Sequence, residues 1–364
     1  MPTRGARPEC DSVRLMSRRA WSMAGRLAVS LACGLGALAS AACGTGSRSA
    51  TAATPPPTTA TATVTTTATA TTTATTTMTV TLPGAGKPPV TIGDENTPEQ
   101  FLLGQLYYQA LKAEGFQVTL NQNIGPPQVV MQALATGQLA MYPEYLDTWN
   151  TQVAGNQRSY RTRDGAYLAA QHYALGHGLR LLNPTPFSDT GAIAVSFDYA
   201  VENQVQSIPD LIKVSGGLTL GGPPQFEQSP DGLPAIQNMY SMFPAAFKPL
   251  EIGAQYHALD QGAVQAAVVN TTDPQLLSGS YPLLHDPENV FGWGNVVPVA
   301  STKALDAEGP VFVDTINRVS ALLSLDTMRE LNAQVVLYNQ DPAAVAQQFL
   351  QDQHILPPPP PSGG

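Results

Sequence analysis

Histidine and cysteine could ligate a metal or act as nucleophiles in this chain, but neither forms a catalytic pattern. The five histidines contain one close pair, His172-x4-His177, which is a weak metal-ligand spacing on a segment expected to be an exposed helix. The sequence also lacks a Gly-x-Ser-x-Gly nucleophile elbow, a phosphate loop and a dinucleotide-binding fingerprint. We therefore expect no enzymatic activity, no bound metal and no cofactor.

All three cysteines, Cys10, Cys33 and Cys43, lie within residues 1–43. This segment has a basic start and then an apolar run of 16 residues, which is short for a membrane span and typical of an export signal. Ser40-Ala-Ala-Cys43 is similar to a bacterial lipobox, so Cys43 is predicted to be lipidated. A weaker lipobox at Cys33, an uncleaved anchor, and Sec or twin-arginine export remain open. The folded part is predicted to contain no disulfide.

Two further segments are predicted to be disordered. Residues 44–85 consist mainly of Thr, Ala, Ser and Pro, and residues 357–364 form a Pro-rich tail. Neither has an apolar periodicity that could offset the entropy of ordering the chain. We expect residues 44–85 to be a tether, with hydroxyl groups open to glycosylation. Residues 87–364 hold 11 basic and 25 acidic residues, which argues against nucleic acid or anionic lipid as a partner of the folded part.

Residues 86–356 alternate short apolar runs with helical patterns. Pro89–Gly93 is predicted to be a strand, followed by a helix with Thr97 as N-cap, Pro98 at its first position and Gln100 closing a capping box. Further strands are predicted at 117–120, 139–142, 218–220, 250–252 and 265–270, with helices between them and three helices after residue 310. This βαβ alternation favours an α/β fold with mostly parallel sheets.

Several motifs of this region occur in the order and at the spacing of a known family. They are Ile92-Gly-Asp-Glu-Asn-Thr-Pro-Glu-Gln100, Tyr142-Pro-Glu-Tyr145, Ser188-Asp-Thr-Gly-Ala-Ile-Ala-Val195, Asp231-Gly-Leu-Pro234, Tyr256-His-Ala-Leu259, Asn295-Val-Val-Pro298, Glu330-Leu-Asn332 and Asp341-Pro342. The chain resembles the substrate-binding lipoproteins of glycine betaine, carnitine and choline (osmoprotectant) ABC transporters. The resemblance implies a two-lobed, type II periplasmic-binding-protein-like fold with a ligand cleft between the lobes. Lobe 1 is expected at about 86–194 and 299–356, and lobe 2 at about 195–298.

In that family, tyrosine ring faces surround a quaternary ammonium group, which cannot donate hydrogen bonds. The positions that the resemblance assigns to the ligand site are Tyr145, Thr148, Asp189, Gln225, Asn270, Trp293 and Glu95. Each position has a structural alternative. Tyr145 would pack the lobe interface, Thr148 and Asp189 would cap helices or turns, Trp293 would fill space, and Glu95 would be a solvated rim charge.

Other positions depart from the family pattern. Gly191, Asn270 and Gly294 stand where three of the family's four rings are expected, Ser229 stands in place of the arginine that grips a ligand carboxylate, and Glu95 replaces a lysine. These changes predict a larger, less aromatic cleft. They also predict a larger ligand without a carboxylate, either cationic or polyhydroxylated, because losing a charged contact to a buried group is costly.

The sequence thus predicts an extracytoplasmic, lipid-anchored solute-binding protein of an ABC importer. Its expected partners are a small-molecule ligand, the permease subunits and the membrane through its lipid, with no nucleic acid. The alternative is a tethered domain that senses a ligand or contacts envelope proteins without a role in transport. The identity of the ligand and the oligomeric state do not follow from the sequence.

Overall fold

The structure is a computed structural model that describes residues 59–65, 75–156 and 159–358, with side chains from residue 81 onward within these ranges. The predicted export signal, Cys43 and residues 359–364 of the predicted tail lie outside the described residues. In the part that is described, no helix has the length and apolar character needed to cross a membrane.

The first described elements form a two-stranded antiparallel ribbon. Strand β1 (Thr59–Thr65) pairs with β2 (Thr75–Thr81), within the segment that the sequence predicts to be a disordered linker. Threonine is β-branched and favours extended backbone, which accounts for this difference. Just after the ribbon, Gly84 contacts the α/β part, where its N donates to Glu114 O over 2.8 Å.

Five strands form the sheet of the first lobe, in the order β4-β3-β5-β11-β6. Their bounds are β3 (Val90–Gly93), β4 (Val118–Asn121), β5 (Met141–Tyr145), β6 (Leu179–Leu181) and β11 (Val296–Ser301). Strands β4, β3 and β5 are parallel, whereas β11 is antiparallel to both of its neighbours. The carboxyl ends of β3 and β5 therefore lie at the same edge of the sheet, where open α/β sheets bind ligands.

Four strands form the sheet of the second lobe, in the order β7-β10-β8-β9. They are β7 (Gly191–Val195), β8 (Thr219–Gly222), β9 (Ala246–Pro249) and β10 (Ala266–Asn270). The strand predicted at residues 250–252 is wrong. Strand β9 lies just before it, and Ile252 is 82% exposed, because the apolar run there continues past the residues that pair with β8.

Helices cover both faces of each sheet. Their bounds are α1 (Pro98–Ala113), α2 (Pro127–Ala135), α3 (Leu146–Thr148), α4 (Arg163–Gly176), α5 (Phe197–Asn203), α6 (Leu233–Tyr240), α7 (Ala254–Asp260), α8 (Thr302–Glu308), α9 (Pro310–Leu322), α10 (Leu325–Asn332) and α11 (Pro342–Asp352). Helix α1 begins as predicted: the Thr97 side chain accepts from Gln100 N over 3.2 Å, although the side-chain amide of Gln100 finds no partner to close the box.

Each lobe has its own apolar cores. In lobe 1, α1, α9, α10 and α11 bury one face of the sheet around Leu106 and Phe312, and α2 and α4 bury the other face around Trp149. Lobe 2 is packed in the same way around Leu220 on one face and Ala267 on the other. The two lobes are thus separately packed bodies, and the segments between them decide what lies in the cleft.

The chain crosses between the lobes at two neighbouring segments. Ser188 pairs with Asn295 in an isolated antiparallel bridge, and Asp189 N donates to Gly294 O over 2.9 Å. The crossings therefore precede β7 and β11. The predicted crossing points, near Ala194 and Pro298, lie a few residues further along the chain, within β7 and β11.

Candidate functional site

The candidate site begins at the carboxyl ends of β3 and β5 in the first lobe. Strand β3 is followed by Asp94 and Glu95, and β5 ends at Tyr145. The next turn of chain, α3, carries Asp147 and Thr148. Because β3 and β5 are parallel neighbours, these polar side chains converge at one edge of the sheet.

Glu95 lies in this edge with only 7% of its surface exposed. Its carboxyl group is within hydrogen-bonding range of the carboxyl group of Glu144, a fully buried residue of β5. Burial raises the pKa of Glu95 to about 7. Burial, together with the nearby Glu95 charge, raises the pKa of Glu144 well above its usual range. The structural alternative for Glu95, a solvated rim charge, therefore does not hold, because only 7% of the residue is exposed.

A second pair of carboxyl groups links the two lobes. Glu99, in the first turn of α1, accepts hydrogen bonds from Tyr145 Oη at 2.9 Å and from Asn332 Nδ2 at 2.7 Å. The Thr272 side chain of lobe 2 is within hydrogen-bonding reach of both Glu99 and Asp189. Burial raises the pKa of Glu99, and burial followed by the charge of Glu99 raises that of Asp189 well above its usual range. First-lobe and second-lobe residues thus meet around two carboxyl groups.

Asp147 completes this group, which we call the acidic cluster: Glu95, Glu99, Glu144, Asp147 and Asp189. Burial raises the pKa of Asp147 to about 6, and its neighbours include Asp231 of lobe 2. The ion pairs of the described residues use other carboxylates: Arg163–Asp164, Lys213–Asp210, Arg318–Glu114 and Arg329–Asp326. Burying carboxylates without a cation favours their neutral form, so the cluster has an unmet attraction for positive charge.

The acidic cluster brings acceptor oxygens close to an aromatic ring. Across the described ranges, no three histidine, cysteine, aspartate or glutamate side chains have an arrangement that could hold a metal ion. The acceptor oxygens of the cluster lie beside the ring of Tyr145. Burial raises the pKa of the Tyr145 phenol well above its usual range. An aromatic ring next to carboxylates suits an organic cation, whose charge is attracted by both.

Two of the glycine positions expected to enlarge the cleft do not leave open space. A Cβ atom on Gly191 would lie 2.7 Å from Cδ1 of Phe291, so the Phe291 ring occupies the place where the family carries a tyrosine. A Cβ atom on Gly294 would overlap the carbonyl oxygen of Asp189, because the two crossing segments pair there. The prediction of a larger cleft is therefore wrong at both glycines, although Asn270 is exposed as an open position would be.

The predicted site residues fall into two groups. Tyr145 and Asp189 both contact the Glu99 network, and Thr148 lies beside the cluster, its backbone N donating to the Asp147 side chain over 2.8 Å. Glu95 belongs to the cluster itself, and the other three predicted residues lie outside it. Gln225 and Asn270 are exposed on lobe 2, and Trp293 packs against the Trp149 core with Nε1 donating to Tyr160 O over 2.9 Å.

Sequence reasoning missed four residues of the site: Glu99, Glu144, Asp147 and Phe291. The three acids follow or end strands, and their density at one sheet edge is a signal that the sequence does contain. The contact of Phe291 with Gly191 could not be predicted from a local pattern, because the two residues are a hundred positions apart in the chain.

Comparison with known proteins assigns the fold and the family. A family described as "Substrate binding domain of ABC-type glycine betaine transport system" matches residues 88–352. The chain is 28% identical over 277 residues to the glycine-betaine-binding protein of Pseudomonas aeruginosa, covering 73% of this chain and 88% of that protein. It is 26% identical over 284 residues to the glycine betaine-binding protein YehZ of Escherichia coli, covering 75% of this chain and 93% of YehZ.

Solved structures agree with these relatives. A glycine betaine/carnitine/choline ABC transporter structure superposes with a TM-score of 0.68 at 23% identity, covering 73% of this chain and 99% of that one. Apo YehZ from Escherichia coli superposes with a TM-score of 0.64 at 25% identity, covering 74% and 99%. The expected type II two-lobed α/β fold is confirmed. The chain therefore belongs to the family of substrate-binding domains of ABC-type glycine betaine transport systems, and is a solute-binding component of an osmoprotectant importer rather than an enzyme.

Proposed function

We propose that the chain captures a small organic cation without a carboxylate, holding it between the lobes against the acidic cluster and the ring of Tyr145. The observation that carries this proposal is a cluster of five carboxyl groups, of which Glu95, Glu99 and Glu144 are buried and Asp147 and Asp189 half-buried, with no lysine or arginine paired to them in the described part of the chain. A bound cation would compensate the cost of ionising them.

The charge at the second-lobe wall supports a ligand that lacks a carboxylate. Ser229 stands where the resemblance places a carboxylate-binding arginine, and its hydroxyl donates to Asp231. Asp231 in turn acts on Asp147 with like charge. A ligand carboxylate placed between them would be repelled by both like charges, which costs more than an absent contact.

The relatives narrow the choice of probe. Proteins similar to this chain are named for glycine betaine and carnitine, which both combine a quaternary ammonium group with a carboxylate. Choline has the quaternary ammonium group without the carboxylate. Choline and glycine betaine therefore form a matched pair of probes that differ in the carboxylate. This is the group that the family's arginine binds, and Ser229 replaces that arginine here.

Isothermal titration of the full chain with each compound tests this proposal. We expect choline to bind at least about tenfold more tightly than glycine betaine, since one charged contact is worth about 1.5–3 kcal/mol. Micromolar binding of glycine betaine, with choline equal or weaker, would refute the assignment of a ligand without a carboxylate.

We further propose that the domain is tethered outside the cytoplasmic membrane by a lipid on Cys43, with residues 44–85 as the spacer. This rests on the export-signal pattern and the lipobox-like motif. Metabolic labelling with an alkyne fatty acid is expected to mark the wild type and the Cys33→Ala variant, but not Cys43→Ala. Labelling that persists in Cys43→Ala and disappears in Cys33→Ala would show that the lipid is attached to Cys33 instead.

A further inference from the structure

Three acceptor atoms around the acidic cluster are buried and receive no hydrogen bond: Oε1 of Glu95, Oδ1 of Asp189 and Oδ1 of Asn332. Glu95 is 7% exposed and Asn332 is 5% exposed. The carboxyl group of Glu95 faces that of Glu144 and acts on the Tyr145 phenol. Buried acceptor atoms without a hydrogen-bond donor are uncommon in folded proteins, and each one requires an explanation, such as a bound group that donates to it.

The partner must donate hydrogen bonds. All three atoms are acceptors when the carboxyl groups are ionised, and the Asn332 amide has already used Nδ2 on Glu99 and on Thr272 O. Protonation of Glu95 provides one donor, which its contact with Glu144 uses, and leaves the acceptors on Asp189 and Asn332 unmet. A quaternary ammonium group carries no N–H and cannot satisfy any of the three.

We propose that the cleft selects a primary ammonium cation over its fully N-methylated counterpart, with Glu95 and Asp189 accepting from the ammonium N–H groups. This inference rests on the proposed function, that the cleft holds an organic cation without a carboxylate, and deepens it by naming the class of cation. Charge-assisted N–H···O bonds to carboxylates are about twice as strong as neutral ones, so they provide both affinity and specificity.

Glu95 gives this selectivity a physical origin in this chain. The resemblance places a lysine at this position, and here the side chain is an acid buried against a second acid, Glu144. Two facing carboxyl groups repel when both are ionised. An ammonium group placed against them removes the repulsion and supplies donors, whereas a trimethylated group is held away by its methyl groups.

The test is an N-methylation series on one scaffold: ethanolamine, N-methylethanolamine, N,N-dimethylethanolamine and choline, titrated calorimetrically into the full chain. The four compounds share the hydroxyethyl arm and the positive charge at neutral pH, and differ in the number of N–H groups. We expect the dissociation constant to rise along the series, with ethanolamine binding at least about tenfold more tightly than choline, as one charge-assisted hydrogen bond implies.

Glu95→Gln locates the effect. Glutamine keeps the size and one acceptor oxygen but removes the charge, so ethanolamine affinity should fall at least about tenfold and the series should flatten. The matched control is Glu202→Gln, which removes an exposed carboxylate of α5 on lobe 2. It is expected to leave the whole series unchanged.

The outcomes separate the two proposals. Choline binding as tightly as ethanolamine or more tightly, in a protein that still rejects glycine betaine, would overturn the selectivity for N–H donors and leave the proposed function standing. Selectivity that survives Glu95→Gln unchanged would remove Glu95 from the inference. No binding of any amine in the series would overturn the proposed function and this inference together.

Discussion

Replacing Glu95 by glutamine should stabilise the ligand-free protein at alkaline pH. Glu95 is 7% exposed, and burial raises its pKa from an ordinary value of 4.5 to about 7. A carboxyl group whose pKa is raised on folding is held more readily in its neutral form by the folded protein. Its contribution to stability is therefore fully present below about pH 4.5 and is lost as the pH rises through 7.

The size of the effect follows from the same two values. A rise from 4.5 to about 7 corresponds to about 3 kcal/mol, at about 1.4 kcal/mol for each pKa unit. Between pH 5 and pH 8.5 most of this stability, about 2–3 kcal/mol, should be lost by the wild type. Glutamine has no charge to desolvate, so the variant avoids the loss due to this side chain.

Chemical denaturation of the ligand-free full chain at pH 5 and pH 8.5 measures this directly. Glu95→Gln should gain about 2–3 kcal/mol relative to wild type between the two pH values, and the exposed-site control Glu202→Gln should gain nothing. Identical pH dependence in wild type and Glu95→Gln would mean that Glu95 is solvated, and the buried acidic cluster would lose its central pair.

Three substitutions test other contacts of the site. Asn332→Ala removes the donor to Glu99 at 2.7 Å and to the carbonyl oxygen of Thr272 in lobe 2 at 3.2 Å, and should cost about 1–3 kcal/mol in urea denaturation; an unchanged midpoint would contradict the link between the lobes. Gly294→Ala places a Cβ atom on the carbonyl oxygen of the opposite crossing segment and should cost about 1–3 kcal/mol or more; an unchanged melting temperature would show that the crossings pair differently. Gly191→Tyr should destabilise the protein because the Phe291 ring holds the space, and adding Phe291→Ala should restore part of the loss. Wild-type stability of Gly191→Tyr alone would place that ring elsewhere.

Much of the architecture could be predicted because its signals are local. The N-cap at Thr97 with Pro98 fixed the start of α1, and the alternation of apolar runs with helical patterns indicated an α/β fold. The strand predicted at residues 250–252 failed because a short apolar run does not show which of its residues pair. Tertiary pairing with β8 determined that, and it selected the residues just upstream.

The chemistry of the site depended on contacts that no local pattern contains. From the sequence alone, Glu95 resembles a solvated charge at the rim of the cleft. Its burial beside Glu144 of β5 depends on a contact between residues about fifty positions apart in the chain. Gly191 reads as an opening until Phe291 is folded against it. The density of acids after β3 and β5 was visible in the sequence. Its meaning requires knowing that both strands end at one edge and that no basic side chain within the described ranges pairs with the cluster.

We propose above that a cationic ligand is held against the carboxyl groups of the acidic cluster. A cation stabilises their ionised form, so binding must release protons at a pH below their raised values of about 7 for Glu95 and about 6 for Asp147. The decisive measurement is calorimetric titration of the full chain with choline at pH 6 in buffers of different ionisation enthalpy. Our account predicts release of on the order of one proton per choline bound at pH 6 and almost none at pH 9. Choline binding with no proton release at pH 6, and with an affinity independent of pH between 5 and 8, would contradict it.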